Sequence, residues 1–466
     1  MKLHFLGANR QVTGSRYCLE TSDSMIMIDC GMFQEREFLS RNWEPNSIAP
    51  LECDAMLLTH AHLDHCGLIP KLVANGFRAP IYCTPPTVDL AEVILRDSAK
   101  IQEEDAAYKK KRHEREGRKG KYPEKALYGE EEVLKTLPLF HGVPYETLCR
   151  VTDSVSVVFH DAGHILGSAM LEVIVTERGV TRRVLFSGDI GQWNKPLVCD
   201  PSLFESADHV VMESTYGDRN HENGGDVETQ LCDVINETIA LGGNVVIPTF
   251  AVERAQELMY YISRLVHDDR IPDVKVFLDS PMAVDVTNIF QKYHEYLDQE
   301  AGELIGSNQS PLHFPGLHLT RSAAQSIAIN NEKQPCIIMA TSGMCTGGRI
   351  KHHLRRNLSR PESTVLFVGY QAHGTLGRLI SDGKPEVRIH GRNYESKARI
   401  DRIFGFSGHA DRKALMHWIG NLKQEPTSIF LTHGEEDAAM SLARHIREEK
   451  GWKVSVPEFQ DIVDIT

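Results

Sequence analysis

One short segment constrains this chain more than its composition does. The apolar run at residues 55–58 passes directly into Thr59-His60-Ala61-His62-Leu63-Asp64-His65-Cys66-Gly67. With 22 His among 466 residues, three at these fixed places arise by chance in roughly one such chain in twenty, and requiring Asp64 lowers that more than tenfold. In an extended segment His60 and His62, two apart, point the same way. Asp64 and His65, at the turn into a helix, can face a second point nearby. Imidazole nitrogens and carboxylate oxygens are ligands for zinc-like ions, and two such sets close together make a dinuclear centre.

Other strand ends carry the same kind of residue. His164 lies in Asp161-Ala-Gly-His-Ile-Leu-Gly-Ser168 and Asp189 in Phe186-Ser-Gly-Asp-Ile-Gly191, both glycine-containing turns where backbone can approach a site closely. Asp29, in Met27-Ile-Asp-Cys-Gly31, ends another strand and suits a carboxylate that orients a ligand histidine. Phe406-Ser-Gly-His409-Ala-Asp411 and Leu431-Thr-His433-Gly-Glu435 repeat the theme near the C-terminus.

Short apolar runs at 3–6, 25–28, 55–58 and 79–83 read as strands, and helical patterns at 66–75 and 87–100 follow them, so the class is mixed α/β. Strands resume at 155–159, 169–175, 183–186 and 207–212. A parallel α/β alternation then runs through 229–241, 244–248, 253–265, 274–278, 336–340 and 364–368, and the last segment reads strand, helix, strand at 398–404, 412–422 and 428–431. From Ile101 the text turns polar, with eight basic residues between Lys109 and Lys121; it reads first as a solvated helical arm, with an RNA contact as the alternative.

The net charge of −13 argues against broad nonspecific nucleic-acid binding, although bound divalent metals would offset part of it. Ten Cys without a CxxC pair read as reduced thiols. No apolar window approaches a membrane span, and the start lacks the long apolar run of a signal peptide, so the expected location is cytoplasmic with no membrane partner.

Taken together these motifs resemble the metallo-β-lactamase superfamily, and within it the β-CASP nucleases. Five metallo-β-lactamase motifs stand in order as Asp29, His60-x-His62-x-Asp64-His65, His164, Asp189 and His433. The β-CASP pattern is marked by Glu213 in Glu-Ser-Thr-Tyr-Gly217, by His409 and by His433. Pro248-Thr-Phe-Ala-Val-Glu-Arg-Ala-Gln-Glu257, Leu278-Asp-Ser-Pro-Met-Ala283, Ala340-Thr-Ser-Gly-Met344 and Gly369-Tyr-Gln-Ala-His-Gly-Thr-Leu-Gly-Arg378 match the short bacterial and archaeal ribonucleases related to the pre-mRNA cleavage and polyadenylation endonuclease subunit.

The resemblance implies an αββα metallo-β-lactamase sandwich over residues 1–207 and 396–466, with a parallel α/β β-CASP domain inserted at 208–395. It implies two Zn2+, with Mn2+ as the alternative metal: one held by His60, His62 and His164, the other by Asp64, His65 and His433, with Asp189 bridging. His409, paired with Glu213, is the candidate general acid, since a proton donor must not be consumed as a ligand. Ser342, Gly343 and Arg378 are candidate holders of substrate phosphate. The expected activity is hydrolysis of single-stranded RNA, cleaved internally to 5′-phosphate and 3′-hydroxyl ends. The chain ends at residue 466, too soon after His433 for the extra domain of the longer exonucleolytic enzymes, which puts a 5′–3′ exonuclease and the family's usual homodimer in question. A small-molecule hydrolase on the same scaffold leaves the long stretch between Asp189 and His433 unexplained, and a metal-free scaffold leaves the complete ligand set unexplained.

Overall fold

A computed structural model describes residues 1–45, 47–117, 122–221, 225–307 and 310–465. The chain forms two compact units, Met1–Asn220 with Gly408–Thr466, and His221–Ser407. Among the described residues no helix is long and apolar enough to cross a membrane.

The first unit holds two seven-stranded sheets. One is ordered Ile462–Asp464, Lys2–Gly7, Arg16–Glu20, Met25–Ile28, Ala55–Leu57, Ile81–Cys83, Phe140–Gly142; the other is ordered Val454–Ser455, Ser428–Thr432, His209–Glu213, Val180–Phe186, Ala169–Glu177, Val155–Asp161, Cys149–Arg150. Alternation along the strands builds the layers. Val211 and Phe430 join Phe5, Leu19, Ile28, Leu57, Phe159 and Phe186 in a core between the sheets. Their neighbours Val210, Met212, Ile429 and Leu431 point the other way, onto Leu415, Trp418 and Ile419 of the helix Arg412–Gly420 and Leu442 and Ile446 of the helix Glu436–Lys450. The first sheet's outer side is the place of the helices Ile69–Ala74 and Pro85–Glu116, giving the expected αββα order.

The second unit is a six-stranded, wholly parallel sheet ordered Leu317–Thr320, Lys275–Asp279, Cys336–Ala340, Val245–Pro248, Thr364–Phe367, Arg399–Arg402. Its inner strands Val245–Pro248, Cys336–Ala340 and Thr364–Phe367 are nearly continuous apolar text, as burial on both faces requires. Val246, Val365 and Phe367 pack on Ile350, Leu354 and Leu358.

The units divide later than the sequence boundaries at 207/208 and 395/396. His209–Glu213 pairs in parallel with both Val180–Phe186 and Ser428–Thr432, so it belongs to the first unit's sheet, and Glu213 with it. Arg399–Arg402 pairs with Thr364–Phe367, so it closes the second unit's sheet instead of opening the last segment. Apolar periodicity located both strands but could not say which sheet would take them.

The helix expected over 87–100 extends to Glu116. Thr84 caps it by accepting from the Thr87 amide, Pro85 and Pro86 start it, and Gly117 at φ 62° ends it. Its last sixteen positions are rich in Glu, Gln, Ala, Lys and Arg, strong helix formers, and only His113 among them is buried. The solvated helical arm is therefore present to residue 116, while Arg118, Lys119 and Lys121 lie outside the described residues.

Phe186, 1% exposed between the two sheets, tests this core. Phe186→Ala should cost about 3–5 kcal/mol in chemical denaturation, whereas Leu148→Ala, at a surface position, should stay within about 0.5 kcal/mol of wild type.

Candidate metal centre

The strand Ala55–Leu57 runs out at Leu58 and Thr59, and the chain stays extended to His62 before the one-turn helix Leu63–Cys66. This conformation turns His60 and His62 to the same side, with His60 Nε2 3.1 Å from His62 Nδ1. The helical turn then swings His65 elsewhere. Its Nδ1 lies 2.7 Å from Asp29 Oδ2, while Asp29 Oδ1 accepts from the Thr59 amide at 2.8 Å. Asp29 is thus fully engaged in holding the motif in place.

His164, Asp189 and His433 enter from the ends of three other strands. Each is set by a close backbone approach: Gly163, at φ 63°, could carry no side chain because a Cβ would lie 2.6 Å from the Cys199 carbonyl oxygen. His164 Nδ1 donates to the Gly408 carbonyl at 2.8 Å. His433 Nδ1 lies 3.1 Å from Thr215 Oγ1, and its backbone N–H donates to the Ala8 carbonyl at 2.7 Å.

Asp189 stands among them with one oxygen toward each set. Oδ2 is 3.4 Å from His60 Nε2 and 3.5 Å from His164 Nε2; Oδ1 is 3.2 Å from His65 Nε2 and 3.5 Å from His433 Nε2. His433 Nε2 is also 3.5 Å from Asp64 Oδ2. The ligand atoms of His60, His62, His164 and Asp189 lie within 4.8 Å of one another, as do those of Asp64, His65 and His433. All seven ligand candidates read from the sequence are therefore brought together.

The donor chemistry fits bound cations. A carbonyl only accepts, so His164 Nδ1 carries its proton and Nε2 presents a lone pair. That Nε2 faces His62 Nδ1 at 3.2 Å, and His65 Nε2 faces His433 Nε2 at 3.1 Å. Among the described residues, buried Asp189 Oδ1 has no hydrogen-bond partner. Burial, reinforced by the neighbouring His65, pushes the His60 pKa down to about 3, and burial holds His164 well below its usual value, which keeps both neutral as metal ligands must be. His65 goes the other way: burial opposes its charge, but Asp189 and Asp29 raise it well above the usual value, and that proton is one a cation displaces.

His409 and Glu213 form a further pair beside Asp189. His409 Nδ1 lies 3.2 Å from Glu213 Oε1 and 4.0 Å from Asp189 Oδ2. Glu213 is fully buried and its Oε1 also accepts from the Ile190 amide at 2.6 Å. Gln192 Nε2 donates to the His409 carbonyl at 2.9 Å. Burial works against the His409 imidazolium, yet Glu213 and then Asp189 more than offset it, raising its pKa to about 9. Its side chain is 22% exposed, against 1–3% for His60, His65, His164 and His433.

Ser342, Gly343 and Arg378 belong to the second unit. Gly343 packs against Phe250, whose ring would lie 2.7 Å from an added Cβ, and Arg378 Nε pairs with Asp382 Oδ2 at 2.8 Å. Sequence reasoning passed over Thr59, Thr215 and the Gly408 carbonyl, the groups that orient three of the histidines. Thr59 adjoins the motif and could have been suspected; the other two are brought in by chain pairing over long separations.

Comparison with known proteins agrees with this geometry. Residues 18–190 match the metallo-beta-lactamase superfamily domain, 255–380 the Beta-Casp domain, and 393–457 the Zn-dependent metallo-hydrolase RNA specificity domain. Ribonuclease TTHA0252 of Thermus thermophilus is 37% identical over 100% of both chains. The chain is a β-CASP member of the metallo-β-lactamase superfamily. Transcription termination factor FttA of Methanosarcina mazei is 35% identical to this β-CASP protein over 95% of the chain and 68% of the relative. A solved structure described as a protein of unknown function from Enterococcus faecalis V583 matches 99% of each chain with TM-score 0.58 at 14% identity, a likeness of fold alone. The β-CASP protein is a metal-dependent hydrolase of a Zn-dependent family, and the histidine and aspartate cluster around Asp189 is its metal-binding candidate.

His433→Ala should lower the metal bound per chain, because a site with few protein ligands loses affinity when one is removed. His409→Ala should retain the wild-type content. Elemental analysis of the two purified variants checks the assignment, and loss of metal in His409→Ala would refute it.

Proposed function

We propose that this β-CASP protein is a ribonuclease that hydrolyses phosphodiester bonds of single-stranded RNA, using two zinc ions held by the two residue groups that share Asp189. His60, His62 and His164 would hold one, Asp64, His65 and His433 the other. When bound, such ions lower the pKa of water toward neutrality and neutralise a scissile phosphate.

The observation that carries the reading is the placing of His409. It is the most exposed of the site's histidines with a carboxylate partner, and it lies beside both ligand groups without belonging to either. Asp189, Glu213 and His409 also bring ligand atoms within 4.8 Å of one another, but both Glu213 oxygens are engaged within the protein, Oε1 by the Ile190 amide and His409 Nδ1 and Oε2 by the Thr215 amide at 3.3 Å, so we assign the pair to proton transfer. With Nδ1 turned to Glu213, His409 delivers its proton from Nε2 to the departing 3′ oxygen. Glu213 holds the imidazole in register and favours its charged form. Departure of the 3′ oxygen leaves 5′-phosphate and 3′-hydroxyl ends.

The 37% identical Thermus relative, a ribonuclease, and the match of residues 393–457 to an RNA specificity domain support RNA as the substrate. Cleavage is proposed to be internal. A metal-loaded preparation should open a circular RNA, and survival of the circle while a linear RNA of the same sequence is degraded would make the enzyme an exonuclease.

His409→Ala should slow single-turnover cleavage about 10²- to 10⁴-fold with RNA affinity nearly intact. Glu213→Gln should show a smaller loss of the same kind. Single-turnover rates and binding isotherms of the two variants separate this outcome from a general loss of the site, in which affinity and rate would fall together.

A further inference from the structure

Four aromatic side chains stand exposed among the described residues: Tyr108, Phe250, Tyr370 and Phe404, at 65%, 43%, 56% and 46%. The last three follow the ends of three adjacent strands in the second unit's parallel sheet. Phe250 comes just after Val245–Pro248, Tyr370 after Thr364–Phe367 and Phe404 after Arg399–Arg402. The C-terminal edge of a parallel sheet is where such folds bind ligands.

The register places them further. Val246 pairs with Val365, and Val365 with Ile400. These pairings set the three strand ends side by side, the one that leads to Gly369 and Tyr370 between those that lead to Phe250 and Phe404, with ~4.8 Å between neighbouring strands. A Cβ at Gly369 would meet nothing within 4 Å, so the surface beside Tyr370 is open.

The edge is also braced. Phe250 lies against Gly343. Gln371, 7% exposed, donates from Nε2 to the Gly343 carbonyl at 3.0 Å and to the Gly369 carbonyl at 3.4 Å. This side chain therefore ties the loop that backs Phe250 to the loop that carries Tyr370. Exposed aromatic rings on three separate strand ends, with Thr249 and Val368 buried, suit separate flat partners better than a continuous apolar surface. Arg378, just beyond Tyr370, uses one nitrogen on Asp382 and has further N–H groups for phosphate.

We propose that Phe250, Tyr370 and Phe404 form a stacking platform for the unpaired bases of single-stranded RNA. The proposal rests on the ribonuclease reading above. Every base has a π face, so such a platform grips RNA without reading its sequence, and it excludes duplex, whose bases are already stacked on one another.

The test uses the full chain in the slow His409→Ala background, with an oligouridylate and with an oligoribonucleotide carrying 2-aminopurine. Phe250→Ala, Tyr370→Ala and Phe404→Ala should each weaken oligouridylate binding about five- to one-hundred-fold. They should also relieve quenching of 2-aminopurine, while affinity for duplex RNA stays unchanged and Phe250→Tyr and Phe404→Tyr keep most of the binding. Tyr370, the most exposed of the three rings, is the substitution least able to disturb folding. A triple alanine variant with undiminished affinity and quenching overturns the platform, and so does an equal loss for duplex and single strand. Undiminished RNA binding combined with a change from dimer to monomer would give the rings to a second copy of the chain and overturn it too. Wild-type protein that cleaves RNA in those cases leaves the ribonuclease reading standing. Wild-type protein that neither binds nor cleaves RNA ends both.

Discussion

The centre depends on hydrogen bonds made at the far side of each imidazole. His65 is turned by Asp29, His164 by the Gly408 carbonyl and His433 by Thr215, and each bond leaves the other ring nitrogen aimed inward at Asp189. Partners of this kind fix the tautomer and the ring orientation of a ligand histidine. Without them the inward nitrogens, 3.1–3.2 Å from one another, would rotate apart to be solvated or bonded separately. The sandwich supplies those partners from strands distant in sequence, so its packing and its metal chemistry are one arrangement seen at two scales.

Glu213 shows how the same carboxylate can serve two levels at once. Its strand is the central parallel partner of Val180–Phe186 and Ser428–Thr432, the strands that deliver Asp189 and His433. Its carboxylate accepts from the Ile190 amide next to Asp189 and holds His409. The spacing between His409 and the ligand cluster is therefore set by sheet register, which shifts only in whole residues.

Much of this was readable from the text of the chain, and for identifiable reasons. The His60 to His65 motif, the glycine turns before His164 and Asp189 and the apolar strands preceding them are local signals, and local geometry realised them. What the text did not reveal was partnership. The strand at Arg399–Arg402 looked like the start of the last segment because its apolar and polar letters say nothing of which sheet lies alongside. That the missing side chain of Gly343 makes room for Phe250 could not be read either, since the two lie far apart in sequence. The Gly408 carbonyl carries no signature at all, since every residue has one. The charged arm was legible as a helix because helix propensity is local, but its use is a matter of what it meets.

The chain leaves the first unit and returns to it at one neck, where the Arg412 amide donates to the Arg219 carbonyl at 3.0 Å and Tyr216 bridges Asp411. Order along the polypeptide then becomes order in time. His60, His62, His164 and Asp189 are made before residues 221–407, and His409 and His433 after them. At ~5–20 residues per second the ribosome spends on the order of ten to forty seconds on the intervening unit. Throughout that interval the nascent chain lacks His409, His433 and the Gly408 carbonyl that turns His164. The ribonuclease proposed here would thus stay inert while still tethered to the message that encodes it, and would arm itself only when the final strands close the sheet.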